Sequence, residues 1–136
     1  MSRMNLFKRA FVAIGGVLAV HAGLLLAGGY SINQIDTPMH FLGGFAMGML
    51  GIAIHHDVAS KHHTKRSPWW YHSLFVVGFA MLIGIAWEFH EYILDQTINV
   101  WYNLPMSQLS LADTMKDFLM DWLGASVALV VYRKEL

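Results

Sequence analysis

Four apolar stretches, at about 10–30, 38–55, 70–94 and 112–132, alternate with polar ones along the chain. Each is close to the roughly 20 residues that cross hydrocarbon as a helix. The pattern predicts an all-α, four-transmembrane-helix bundle that forms one integral membrane domain over residues 1–136. The first stretch follows Arg3, Lys8 and Arg9, and a cleavable signal is a competing reading, because Ala27, Gly28 and Gly29 resemble a cleavage site. Its apolar run is long for a signal, which favours a retained helix. Ala13, Gly16, Val20, Gly23 and Ala27 recur at steps of three and four residues, a small-residue stripe suited to close helix contact. His21 lies off that stripe and reads as a hydrogen-bonded core residue.

Local signals mark where the later helices begin. Asp36-Thr37-Pro38 reads as a helix start, with Asp36 capping and proline placed where no N–H is needed. Ser110 and Asp113 make a capping-box-like start for the last helix. Between them, His40, Gly44, Met47 and Gly51 share one face of the second helix, and Gly44 with Gly48 has the spacing of a helix-packing pair. Residues 55–68 are hydrophilic and hold four histidines in two pairs. With no acid or cysteine at ligand spacing, they are expected to form a solvated basic loop. Trp69, Trp70 and Tyr71 then mark an aromatic belt, and 96–111, with Trp101 and Tyr102, is expected to be a loop lying in the membrane interface.

Composition agrees with a membrane setting: 56% of residues are hydrophobic and only 13% charged, against about a quarter charged in soluble domains. Cysteine is absent, which excludes disulfides and thiolate metal sites. Nine basic residues balance nine acidic ones, so no overall field favours nucleic acid. The signs are nevertheless segregated. In a four-span arrangement Arg3, Lys8, Arg9, Lys61, Lys65, Arg66, Arg133 and Lys134 share one side, leaving Lys116 opposite. The positive-inside rule then puts both termini in the cytoplasm, as expected for a multi-pass protein of a bacterial inner membrane.

That orientation gathers the acids at the outer side. Asp113, Asp117 and Asp121 follow one another at four-residue steps and spread over about 80° of one helix face, at 100° per residue. Asp121 lies about 12 Å along the axis from Asp113, at 1.5 Å per residue. On the third helix Glu88, Glu91 and Asp95 fall within about 60° of one another, while His90 points away. Asp36 and Asp113 are explained in part as helix-start residues, and Glu91 and Asp95 by access to interfacial water. Capping cannot explain Glu88, Asp117 or Asp121, which need a polar partner or an ion.

Full ionisation of Glu88, Glu91, Asp117 and Asp121 around His40 requires a counter-charge. Oxygen ligands with one imidazole suit Mg²⁺, Mn²⁺, Fe²⁺ or Zn²⁺. The expected metal ligands are therefore His40, Glu88, Glu91, Asp117 and Asp121, with Glu88 and Asp117 as acid/base groups and Asp36 and Asp113 in support. Such a centre could activate water or clamp a phosphate, which suggests a lipid-linked or phosphate-bearing envelope substrate. Two other classes fit the same residues: a non-enzymatic carrier of protons, ions or lipid, and a membrane assembly partner whose acids pair with another protein.

The chain also resembles the VanZ-like and YjdF-like small membrane proteins. The likeness rests on Asp36-x-x-x-His40-Phe41, Trp87-Glu88-x-x-Glu91 and Asp113-x-x-x-Asp117-x-x-x-Asp121-x-x-Gly124, and covers about residues 31–130. It departs from the VanZ-like pattern at Asp121, where Asn or a similar polar residue is usual, and at Thr37, where lysine often stands. The resemblance implies a multi-pass cell-membrane protein, linked in some members to envelope-antibiotic tolerance, and names no reaction.

Overall fold

A computed structural model describes residues 3–32, 34–62 and 67–136. The described chain has four long helices and no strand: α1 (Arg3–Leu26), α2 (Asp36–Lys61), α3 (Trp69–Leu94) and α4 (Leu111–Val131). They run up and down. α2 occupies the middle, packing against all three others, and its tightest neighbour is α4.

Glycine explains that closeness. A Cβ on Gly44 would land on the backbone of Asp121, and one on Gly124 would land on the backbone of Phe41 and Phe45. The two helices therefore meet backbone to backbone, as small residues allow between membrane helices. The packing reading of the Gly44 and Gly48 spacing holds, since a Cβ on Gly48 would sit 2.9 Å from that of Ala128.

The apolar core lies toward the other end of the bundle, where Leu6, Ile52, Ala53, Val76 and Leu129 pack together and Ala10, Met49 and Ala128 extend the seam. α1 joins it only through its first turns. Over its apolar window just 6% of α1 is buried, and an added Cβ on Gly16 or Gly23 would meet nothing within 4 Å. From Gly16 to Ala27 the small-residue stripe thus faces away from the bundle, contrary to the expected helix contact, while Ala13 at its start packs against the seam. Periodicity identified a face without saying what it would meet.

Among the described residues, three helices are long and apolar enough to cross a membrane: Leu6–Leu26, Asp36–Lys61 and Trp69–Tyr102. α4 carries Asp113, Lys116, Asp117 and Asp121 within its 21 residues, too many charges for the same criterion.

Several expected boundaries move. α2 continues past His55 to Lys61, so the first histidine pair is helical instead of lying in a loop. His55 is buried against the rings of Tyr71, His72 and Phe75, at centroid distances of 5.6, 4.7 and 5.5 Å. Asp57 and Lys61 form an ion pair of 2.6 Å on the last turns. His63, Lys65 and Arg66 lie outside the described residues, and with them part of the expected basic loop.

α3 likewise does not end at Leu94. It passes through a π-helical turn, Asp95–Asn99, and a last helical turn, Val100–Tyr102. Residues 96–102, expected to be loop, are therefore helical. Asn103 stops the helix in a left-handed conformation, φ 52°, which asparagine tolerates better than most residues.

Asp36 also departs from expectation. The cap position is Ile35, which makes no side-chain cap bond, and Asp36 is the first helical residue. Ser110 does cap α4, its hydroxyl accepting from the Asp113 N–H at 3.2 Å.

Candidate functional site

The beginnings of α2 and α4 and the end of α3 meet at one end of the bundle, and each contributes acids. His40 stands among them, one turn into α2. Its Nδ1 lies 3.3 Å from Asp121 Oδ2, and its Nε2 lies 3.6 Å from both Asp36 Oδ2 and Glu88 Oε1. Gly84 of α3 makes room for this arrangement, because a Cβ there would strike the Asp121 carboxylate. Asp117 and Asp121 are only 2% and 4% exposed, and His40, Glu88 and Glu91 are buried with them.

Among the described residues, two sets of ligand atoms are each close enough together to surround an ion. In each of the groups Asp36, His40, Asp117 and His40, Glu88, Glu91, one candidate atom per residue lies within 4.8 Å of the others. His40 belongs to both groups. Three of the five buried side-chain atoms without a hydrogen-bond partner among the described residues are here: His40 Nε2, Glu88 Oε1 and Asp117 Oδ1.

Several other oxygens are already engaged. Trp87 Nε1 donates to Glu91 Oε1 at 2.8 Å, and Gln108 Nε2 donates to Glu88 Oε2 at 2.8 Å and to the Glu88 carbonyl at 3.0 Å. Lys116 binds Asp113 at 2.6 Å and stands 3.7 Å from Asp117. Asp113 is thereby turned toward lysine, and the candidate ion groups do not include it.

Asp95, like Glu91, is buried, not open to interfacial water. It accepts from Asn99 Nδ2 at 2.6 Å, the Ser107 N–H at 2.8 Å and the Gln108 N–H at 2.9 Å. The loop after α3 is thus folded back onto its own helix, and Gln108 is held over Glu88. Neither Gln108 nor this tie was foreseen, because hydrophobic periodicity carries no signal for a loop that returns. His90 is exposed and stays outside the cluster, stacking near Trp87 at 5.3 Å.

Two more side chains close the α1 side. His21 Nδ1 and the Tyr30 hydroxyl are hydrogen-bonded, and the His21 ring meets Trp87 edge-on at 5.1 Å. Burial, with Asp36 and Glu91 nearby, pushes the Tyr30 hydroxyl up to about 12. It therefore stays protonated at neutral pH.

A buried imidazole ringed by carboxylates can bind a cation or exchange protons. The fold and this polar cluster define a helical membrane protein with a charged chamber at one end of its bundle. Residues 5–135 match the family described as Predicted membrane protein (DUF2238), and the chain belongs to it. No curated protein and no solved structure matches the chain.

Proposed function

We propose that the chamber binds one divalent cation and acts on a lipid or cell-envelope precursor. The observation that carries this reading is the pair of ligand sets that share His40, one with Asp36 and Asp117 and one with Glu88 and Glu91, in which three buried atoms, His40 Nε2, Glu88 Oε1 and Asp117 Oδ1, have no hydrogen-bond partner among the described residues. Buried carboxylates crowded together are strongly disfavoured without added positive charge, and a divalent ion in either set would supply more of it than Lys116 gives Asp117 at 3.7 Å.

In this reading His40, Glu88, Glu91 and Asp117 are ligands, and Asp36 joins them. Asp121 then serves His40 as much as the ion. Nδ1–H donates to its carboxylate, fixing the tautomer that turns the Nε2 lone pair inward, as second-shell carboxylates do at metal-bound histidines. Mg²⁺, Mn²⁺, Fe²⁺ and Zn²⁺ all suit the donor set. Bound there, such an ion would supply a Lewis acid for a phosphate or an activated water, with Glu88 and Asp117 positioned for acid/base work.

The topology proposed with it has four crossings and both termini in the cytoplasm of a bacterial inner membrane. α4 turns Asp117 and Asp121 inward while Leu119, Trp122, Val127 and Val130 are exposed on its outside, a surface that lipid can solvate. The order of the three motifs also supports kinship with VanZ-like proteins.

Elemental analysis of purified protein tests the centre. Stoichiometric divalent metal that disappears in Asp117→Ala is expected; no metal, or unchanged metal in the variant, sinks the reading. The 3.6 Å steps from His40 to Asp36 and Glu88 favour one alternative, a proton carrier. It requires proton flux in liposomes that Glu88→Gln abolishes.

A further inference from the structure

A groove runs between α1, α2 and α3, with about 650 Å³ of empty space counting its open side. Most of its wall is apolar, supplied by Ile14, Val17, Met39, Met47 and Ile83. At the end where α1 finishes and α2 begins, the wall turns polar, with Tyr30, Asp36 and His40. All three helices that form it are long and apolar enough to cross a membrane, and only 6% of α1 is buried over its apolar window. The open side therefore faces hydrocarbon.

We infer that the groove binds one hydrocarbon chain of a membrane phospholipid, with the tail along Ile14 and Met47 and the head toward Asp36 and His40. The change from apolar to polar along a single groove matches an amphiphile, and a phosphate beside Asp36 requires the proposed cation between them. A helix from another protein would have to lay an apolar face across the acids. Methionine at two wall positions suits a flexible chain, since its side chain adapts to irregular surfaces. The inference deepens the proposed function by naming the substrate class, and rests on that reading only for what happens to the head.

Gly43 supplies the test. It lines the groove, and a Cβ there would meet nothing within 4 Å, so the Gly43→Phe side chain leaves the backbone into open groove. Protein in nanodiscs of phosphatidylglycerol and phosphatidylcholine is released and its retained lipid counted by native mass spectrometry, alongside metal content. Displacing about two methylenes should weaken retention about tenfold, with metal content unchanged. Free glycerol phosphate should not displace the lipid, and Asp117→Ala should keep it while losing metal.

Equal retention by Gly43→Phe, or no retained lipid in either protein, overturns the inference. So does displacement by glycerol phosphate, or the loss of a dimer in place of a lipid. If no sample carries metal yet the tenfold loss persists, the chain site stands and the proposed metal centre fails.

Discussion

His40 and His55 are both buried on α2, near its opposite ends, and their neighbours differ in kind. His40 faces carboxylates from three helices, and one ring nitrogen lacks a partner. His55 is enclosed by rings, and its neighbour His72 donates Nε2–H to the Ser67 carbonyl at 3.0 Å, tying down the start of α3. Burial alone therefore does not distinguish a candidate ligand from a packing residue. The charge brought by other helices does: at one end the imidazole is an available donor atom, at the other a flat surface among aromatics.

The strongest way to break that contrast is to exchange the two losses. His40→Ala should abolish stoichiometric metal binding, whereas His55→Ala should leave metal content unchanged, both read by elemental analysis. Equal effects would erase the distinction. Next comes the seam that holds the acidic end together. Gly124→Ala should cost about 3 kcal/mol through overpacking against the backbone of Phe41 and Phe45, seen as a lower midpoint of thermal unfolding in detergent.

A finer probe removes only the charge behind His40. Asp121→Asn should weaken metal affinity by about 10–100-fold, the usual cost of losing a carboxylate behind a ligating histidine, as measured by competition with a chelator. The smallest effect should come from the exposed side of α1. Gly16→Ala meets open space and should change stability by less than about 0.5 kcal/mol; a larger loss would mean that this face is covered.

Helix content and the acidic end were legible in the sequence because both follow from periodicity. Apolar runs of membrane length located all four helices, and residue spacing put Glu88 with Glu91, and Asp117 with Asp121, on common faces. Periodicity is silent on which faces meet, and so the stripe from Gly16 to Ala27 was assigned a contact it does not make. It was equally silent on His55, which reads as hydrophilic yet packs because aromatic residues from the start of α3 close over it. The π-turn and the return of Gln108 to Glu88 depend on hydrogen bonds between a helix end and a loop, which no pattern of hydrophobicity encodes. Asp36 was misplaced by one register position, enough to change it from a cap into a neighbour of His40.

Asp95 fastens the loop after α3 through a single carboxylate, with the Ser107 and Gln108 amides on its two oxygens. Those amides share one acceptor group and must be released by the same opening event. Their hydrogens should therefore exchange with deuterated solvent at matched protection, as one cooperative unit instead of a fraying strand of chain. The rotamer of Glu88, held by Gln108, is coupled to that same event.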